Sequence, residues 1–254
     1  MIEIYEERFK TRTWDVDSTN KLTIAAAYNY CQEVAGNHAQ ALGVGADYMM
    51  ANGIVWILSR MSAVLHRRPA HGDTISVRTW PRGTEKLFAI RDYELRDEAG
   101  AVVGSARSAW LIVDAATFRP RRPEALAEGL PTNEGLDALA DGAKSISGSE
   151  GLEKIMDRSV AYSDLDYNGH MNNARYAQWV QDAVDPEPLS KAVTIRLDIN
   201  YLAELKPGIC AGLFGRRLES SDTRNYCFAL EGRPREDGPP AFRSVLSLGK
   251  KGTL

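Results

Sequence analysis

Apolar positions along this chain follow two spacings, and the two alternate in the same order twice. Between residues 22 and 42, apolar or small residues recur at Leu22, Ile24, Ala27, Tyr28, Cys31, Val34, Ala35 and Leu42. Steps of three and four predict an amphipathic helix, and Gly43 is a natural stop. Asp17, Ser18 and Thr19 offer capping oxygens ahead of it. Residues 2–12 read as extended and 14–17 as the turn into the helix. After it, 54–61 is a nearly continuous apolar run, 74–80 alternates, 88–96 is a further strand, and 102–114 is a long one. Asp97-Glu98-Ala99-Gly100 is a hairpin turn. One long helix among strands with short antiparallel connections predicts an α+β layer arrangement.

Residues 119–156 lack either period and hold Pro120, Pro123 and Pro131 with several Gly, Ser and Glu, so they read as a linker. Glu124 to Glu128 is the one short helix expected there. Beyond it the order repeats. Residues 158–162 are extended, Asp164-Leu165-Asp166 stands where Asp15-Val16-Asp17 stood, and a helix runs over about 173–184 until Pro186 and Pro188 end it. Residues 193–201 alternate strictly, and 209–218, 225–232 and 241–248 are three further strands, with a hairpin tip at 220–223. The expected organisation is two copies of one unit, 1–125 and 157–254, joined by a linker over 126–156.

Composition narrows the classes. A net charge of −3 over 254 residues argues against a nucleic-acid coat, and 44 % hydrophobic residues supply ample core. Cys31, Cys210 and Cys227 are scattered, without metal-binding spacing, so no metal is expected. No apolar run reaches the ~20 residues of a membrane span, and the acidic start lacks the pattern of a signal peptide. These features predict a cytoplasmic protein.

Acid–base groups gather in one stretch, 162–176. Asp166, Asn168 and His170 fall at alternate positions, which in an extended segment share one side. Asn172 or Asn173 can cap the helix that follows, whose free N–H groups suit a developing oxyanion. Taken singly, each residue has a plainer role: Asp166 in a turn, His170 on a carbonyl, the asparagines as caps. His38 reads as helix packing, Trp56, Trp80 and Trp110 as core or pocket wall, and His66 and His71 as exposed. The basic groups Arg67-Arg68, Arg119 to Arg122, Arg216-Arg217 and Lys250-Lys251 read as solvated surface.

The chain resembles a double hot-dog protein, and more narrowly the acyl-ACP thioesterases, plant and bacterial. The resemblance rests on Gln32-Glu33-Val34-Ala35-Gly36-Asn37-His38, on 55–61, on 72–80 and on the 164–176 motif. It implies a catalytic set of Asp166, Asn168 and His170, with Glu204 supplied by Tyr201-Leu202-Ala203-Glu204. The cysteine that often follows this Glu in plant members is Leu205 here. The first unit has no histidine in its loop, and Pro69 stands about where Glu204 would fall, so one site per chain is expected, with the first unit shaping the acyl pocket. The implied reaction is hydrolysis of fatty acyl thioesters on acyl carrier protein, without bound cofactor. Water activated by Glu204 or Asp166 with His170 moving the proton, and attack by Asp166 to give an anhydride, both remain open. Acyl-CoA hydrolysis and a non-catalytic acyl-binding module are the alternatives, with a hydratase further off; the chain is expected as a monomer or homodimer. Arg119 to Arg122 is the expected contact for the acidic carrier protein.

Overall fold

The computed structural model describes residues 3–123, 126, 129–219 and 226–249. The first half runs β1 (Tyr5–Lys10), a 3-10 turn (Thr13–Asp15), α1 (Ile24–Ala41), α2 (Ala46–Ala51), β2 (Ile54–Leu65), β3 (Thr74–Glu85), β4 (Phe88–Asp97), β5 (Val102–Asp114) and the two-residue β6 (Pro120–Arg121). The second runs β7 (Glu153–Ser159), a 3-10 turn (Tyr162–Asp164), α3 (Asn173–Asp182), α4 (Pro186–Lys191), β8 (Thr194–Tyr201), β9 (Cys210–Leu218), β10 (Tyr226–Arg233) and β11 (Phe242–Gly249).

All strands join one antiparallel sheet in the order β1-β3-β4-β5-β2-β8-β11-β10-β9-β7, with β6 beside β5. The order is a palindrome about the β2–β8 join, as expected of two like units related by a pseudo-twofold axis. Ser62 pairs with Asp198 near the middle of that join, where Arg60 to Leu65 meet Asn200 to Ile195. The helices share one face. α1 buries Ile24, Ala27, Tyr28, Cys31, Val34 and His38, and packs on the sheet and on α3. α3 buries Tyr176, Trp179 and Val180 in the same core. Burying a large apolar side chain contributes about 1.5–3 kcal/mol. Tyr28 ties the halves together: its one hydroxyl hydrogen is shared between Leu197 O (2.9 Å) and Met61 O (3.2 Å), one from each central strand.

The two long helices and most strands fall where periodicity puts them, but β7 begins at Glu153, inside the segment read as a linker, and ends at Ser159, before the expected Tyr162, and the short β6 lies in a stretch read as linker. Two short helices also fall outside the expectation. α2 and α4 are too short to show a period, and the Pro186 that stops α3 also opens α4 at its first turn. Of the helix expected over 124–128 only Leu126 is among the described residues, and the hairpin tip at 220–223 lies outside them. The segment read as a linker lies along the sheet face opposite the helices. Its backbone bonds to side chains: Ala138 N to Asp92 Oδ2 (2.9 Å), Ala143 N to Ser62 Oγ (2.7 Å) and Ile146 N to Asn200 Oδ1 (2.7 Å). Beneath it, Arg107 forks onto buried Asp92 with two 2.6 Å bonds and reaches Asp137 of the segment at 2.5 Å. One basic pair departs from its expectation. Arg68 is not solvated: its side chain is 3 % exposed and paired with Asp17.

Candidate active site

The stretch rich in acid–base groups folds as a tight turn. An isolated bridge between Leu165 and Met171 closes its base. Inside it, Asp166 N donates to His170 O (2.8 Å) and Gly169 N to Asp166 O (3.0 Å). The Asp166 carboxylate faces inward: Oδ1 accepts from Asn168 N (2.9 Å) and His170 N (3.3 Å). This is an Asx-type turn, and it demands a left-handed residue, which Gly169 supplies at φ 77°. The alternate spacing therefore does not put three side chains side by side. Asp166 holds the backbone, while Asn168 and His170 project outward and are exposed.

The structure brings His170 to Glu204, whose Nε2 and Oε1 are 3.1 Å apart. Both are open to solvent, at 61 % and 37 % of their side-chain surface. Glu204 lies past the end of β8, and two tyrosines fix that end. Tyr176 on α3 accepts a hydrogen bond from Leu205 N at 3.2 Å, and Tyr201 donates to Asn173 O at 3.1 Å. Burial pushes the Tyr176 phenol up to about 12, so it stays neutral. Both tyrosines stand in the stretches that carry the resemblance, but nothing in their spacing marks them as positioning groups. Asn172 is the cap of α3, with Oδ1 accepting from Ala174 N at 2.9 Å. A cavity of about 400 Å³ lined by Lys154, Val184, Arg216 and Tyr226 holds none of the four.

The first unit has the same turn without the same chemistry. Val16 bridges Leu22, Asp17 N donates to Lys21 O (2.9 Å), and Asp17 Oδ1 accepts from Thr19 N (2.8 Å) and Lys21 N (3.3 Å). Asn20 takes the left-handed position at φ 60°. Asp17, Thr19 and Lys21 thus stand where the second unit has Asp166, Asn168 and His170. The counterpart of Glu204 is Arg68 rather than Pro69. Gly72 and Gly208 occupy matching turns, donating to Thr11 O and Val160 O, and each residue stands four before its glycine. Arg68 binds the Asp17 carboxylate and donates to Leu22 O (2.8 Å), Lys21 O (3.2 Å) and Leu189 O (3.1 Å). A guanidinium that is always charged and fully engaged cannot serve as a base.

Two family models match this chain, acyl-ACP thioesterase N-terminal domain over 3–128 and acyl-ACP thioesterase C-terminal domain over 150–212. The chain belongs to the acyl-ACP thioesterase family. All four candidate residues fall within the C-terminal match. Among the relatives of this thioesterase family member is an oleoyl-acyl carrier protein thioesterase of Coriandrum sativum, 30 % identical over 76 % of this chain and 58 % of its own length. A palmitoyl-acyl carrier protein thioesterase of Arabidopsis thaliana is 27 % identical over 79 % of this chain and 52 % of its own. The chain thus spans little more than half the length of these curated relatives. Its fold is that of an acyl-ACP thioesterase from Bacteroides thetaiotaomicron, with TM-score 0.82 and 24 % identity over 96 % of this chain and 97 % of that one. The 12:0-ACP thioesterase from Umbellularia californica gives 0.81 and 21 % over 96 % and 93 %. The α+β tandem hot-dog fold expected from the sequence is the fold observed. Among the described residues, no helix is long and apolar enough to cross a membrane.

Proposed function

We propose that the protein hydrolyses fatty acyl thioesters of acyl carrier protein, releasing free fatty acid, at a single site on the second unit. The observation that carries this is the His170–Glu204 pair at 3.1 Å beside the Asp166 turn, set against Arg68 and Lys21 at the matching positions of the first unit. A thioester carbonyl needs an attacking oxygen, somewhere to send its proton, and donors for the oxyanion. His170 takes a proton from water as the water oxygen bonds to the carbonyl carbon, and Glu204 stabilises the imidazolium. The C–S bond then breaks, and the proton passes to the departing phosphopantetheine thiolate. Asn168 is free to orient the carbonyl through its side-chain amide, and Asp166 supports the turn that presents both. The first unit contributes the wall that receives the acyl chain, and Arg119 to Arg122 meet the acidic carrier protein. Neither step calls for a metal or cofactor, and a cytoplasmic setting suits the carrier-bound substrate.

The test is thiol release from acyl carrier proteins loaded with acyl chains of graded length, with Glu204→Gln beside the wild type. Turnover by the wild type that falls about a hundredfold or more in the variant is expected, since removal of a proton-transfer partner forfeits about 10²–10⁴-fold. Absence of turnover on every acyl carrier protein, with hydrolysis of matched acyl-CoA, would move the substrate to coenzyme A thioesters. Absence on both would leave an acyl-binding module.

A further inference from the structure

His170 and Glu204 meet across two elements, and the two side chains cannot hold the contact by themselves. Both are open to water, and an exposed ion pair is weak, because solvent screens it and two mobile side chains must be ordered to make it. The 3.1 Å separation is therefore set by the backbones that carry the two residues. The loop bearing Glu204 is anchored at the entry to β11 by Leu202 N and Ala203 N, which donate to Ala241 O at 2.8 and 2.9 Å. Toward α3, the ties are made by two tyrosines. Tyr201, three residues before Glu204, donates to Asn173 O, and Leu205 N, one residue after Glu204, donates to the Tyr176 hydroxyl. Asn173 and Tyr176 belong to the first turn of α3, which begins three residues past His170. Glu204 is thus bracketed by two bonds to the helix that His170 leads into. The rings are held as well: Tyr176 stands edge-on to Tyr201 and to Phe242, with centroids 5.2 Å apart in each pair.

The first unit has neither bond, although its chain follows the same course. Ten residues past Asp166 stands Tyr176; ten past Asp17 stands Ala27. Tyr201 ends β8, and Leu65 ends β2. Leu205 follows Glu204, while Pro69 follows Arg68 and has no N–H to give. Both hydroxyls and the backbone donor are missing together. In their place Arg68 grips Asp17, Lys21 and Leu22, so this loop is held by the side chain at the position of Glu204. A carboxylate that stays open to its substrate cannot hold its own loop in that way. In the second unit the two hydroxyls hold it from the neighbouring positions and leave Glu204 free.

We infer that Tyr176 and Tyr201 form a clamp that fixes Glu204 against His170, and that both are positioning residues of the site, acting through Glu204. The inference rests on the hydrolysis proposed above. Neither hydroxyl exchanges a proton with the substrate; one donates to a backbone carbonyl and the other accepts from a backbone N–H. Loss of either lets the loop drift from α3, so that Glu204 meets the imidazolium less often while the surfaces that bind the substrate are unchanged. The clamp distinguishes the unit that presents acid–base groups from the unit that keeps only the fold.

The test is a mutant cycle in the full chain, read on acyl-ACP. Tyr176→Phe and Tyr201→Phe keep the rings and remove the hydroxyls. Each is expected to lower kcat about tenfold or more with KM unchanged, the scale of a misplaced catalytic group. In a Glu204→Gln background the same substitutions are expected to change kcat by less than about twofold, because residues that act through one another do not contribute additively. Tyr28→Phe, which also removes a buried hydroxyl, is expected to lower Tm with kcat unchanged. A crystal structure of Tyr176→Phe is expected to show His170 and Glu204 out of hydrogen-bond reach. Tyrosine variants that lose Tm but keep kcat, in the manner of Tyr28→Phe, would make the pair structural and overturn the inference. So would losses that multiply with that of Glu204→Gln, a loss confined to KM, or a His170–Glu204 contact intact in the Tyr176→Phe crystal. Where Tyr176→Phe fails to fold, Tyr201→Phe carries the same kinetic and crystallographic readings. Wild-type inactivity on every acyl thioester sinks the proposed function instead, and the crystal structure still decides the clamp.

Discussion

At the scale of single residues, Asp166 carries two readings that one pair of substitutions separates. Its Oδ1 accepts two backbone N–H groups, the role of a turn-forming residue. An asparagine keeps that oxygen and loses the charge; an alanine loses both. If Asp166 serves the turn, Asp166→Asn retains kcat within about tenfold, while Asp166→Ala loosens the presentation of His170 and loses about a hundredfold. If Asp166 attacks the carbonyl as a nucleophile, both variants fall together, because a neutral amide cannot form the anhydride. Steady-state kinetics of the two, with circular dichroism to check folding, decides. The geometry favours the turn, and this is where the sequence misleads. Alternate spacing aims side chains the same way only in an extended strand, and the left-handed Gly169 bends the segment before that rule applies. The His170–Glu204 contact was legible, but only through the resemblance, since 34 residues separate the two and no local period links them.

At the scale of elements, the matching turns show one loop used for two ends. In the second unit the turn presents exposed groups; in the first it is stapled shut by Arg68, which reaches from the end of β2 to Asp17, Lys21, Leu22 and, in α4 of the other unit, Leu189. Removing one partner of a buried ion pair costs about 3–5 kcal/mol, and because Asp17 is 23 % exposed the lower end applies. Arg68→Met is therefore expected to lose about 3 kcal/mol at neutral pH. The pH dependence has a definite sign. Burial raises the Asp17 carboxyl, but the Thr19 hydroxyl and the Arg68 guanidinium outweigh it and hold the group below its ordinary value. A depressed carboxyl stabilises the fold above its unfolded value, near 4, and that contribution is lost as pH falls through the folded value. The gap between wild type and Arg68→Met should narrow from pH 7 to pH 3 in denaturant unfolding. A gap independent of pH would mean that Arg68 acts through its carbonyl contacts alone. Reading Arg68 as surface was the natural error: a basic pair next to a turn looks solvated, and its partners lie far along the chain, in the 17–22 turn and at Leu189 of α4, an element too short to announce itself.

At the scale of the molecule, the repeat was readable because both halves keep helix and strand periods in the same order. The covering segment was not readable, because a chain whose backbone bonds go to side chains of a distant sheet has no period of its own. The way the halves meet carries a consequence for stability. One sheet runs through the β2–β8 join, and α1 and α3 bury their apolar faces in one shared cluster. Tyr28 is bonded to a central strand of each half, and the 137–146 stretch spans both through Asp92, Ser62 and Asn200. Neither half can open without exposing the edge of the other's central strand and half of that cluster. The two units should then unfold as one: a single calorimetric transition, with calorimetric and van't Hoff enthalpies equal. Tyr28→Phe strips the hydroxyl from the join and with it the one hydrogen shared by Leu197 O and Met61 O. It should lower the single transition by about 2–4 °C, as loss of about 1 kcal/mol does at this size, without splitting it. Two resolved transitions in the wild type, or a split produced by Tyr28→Phe, would mean that each unit holds its own core. The halves would then meet as two docked cores rather than as a continuous fold.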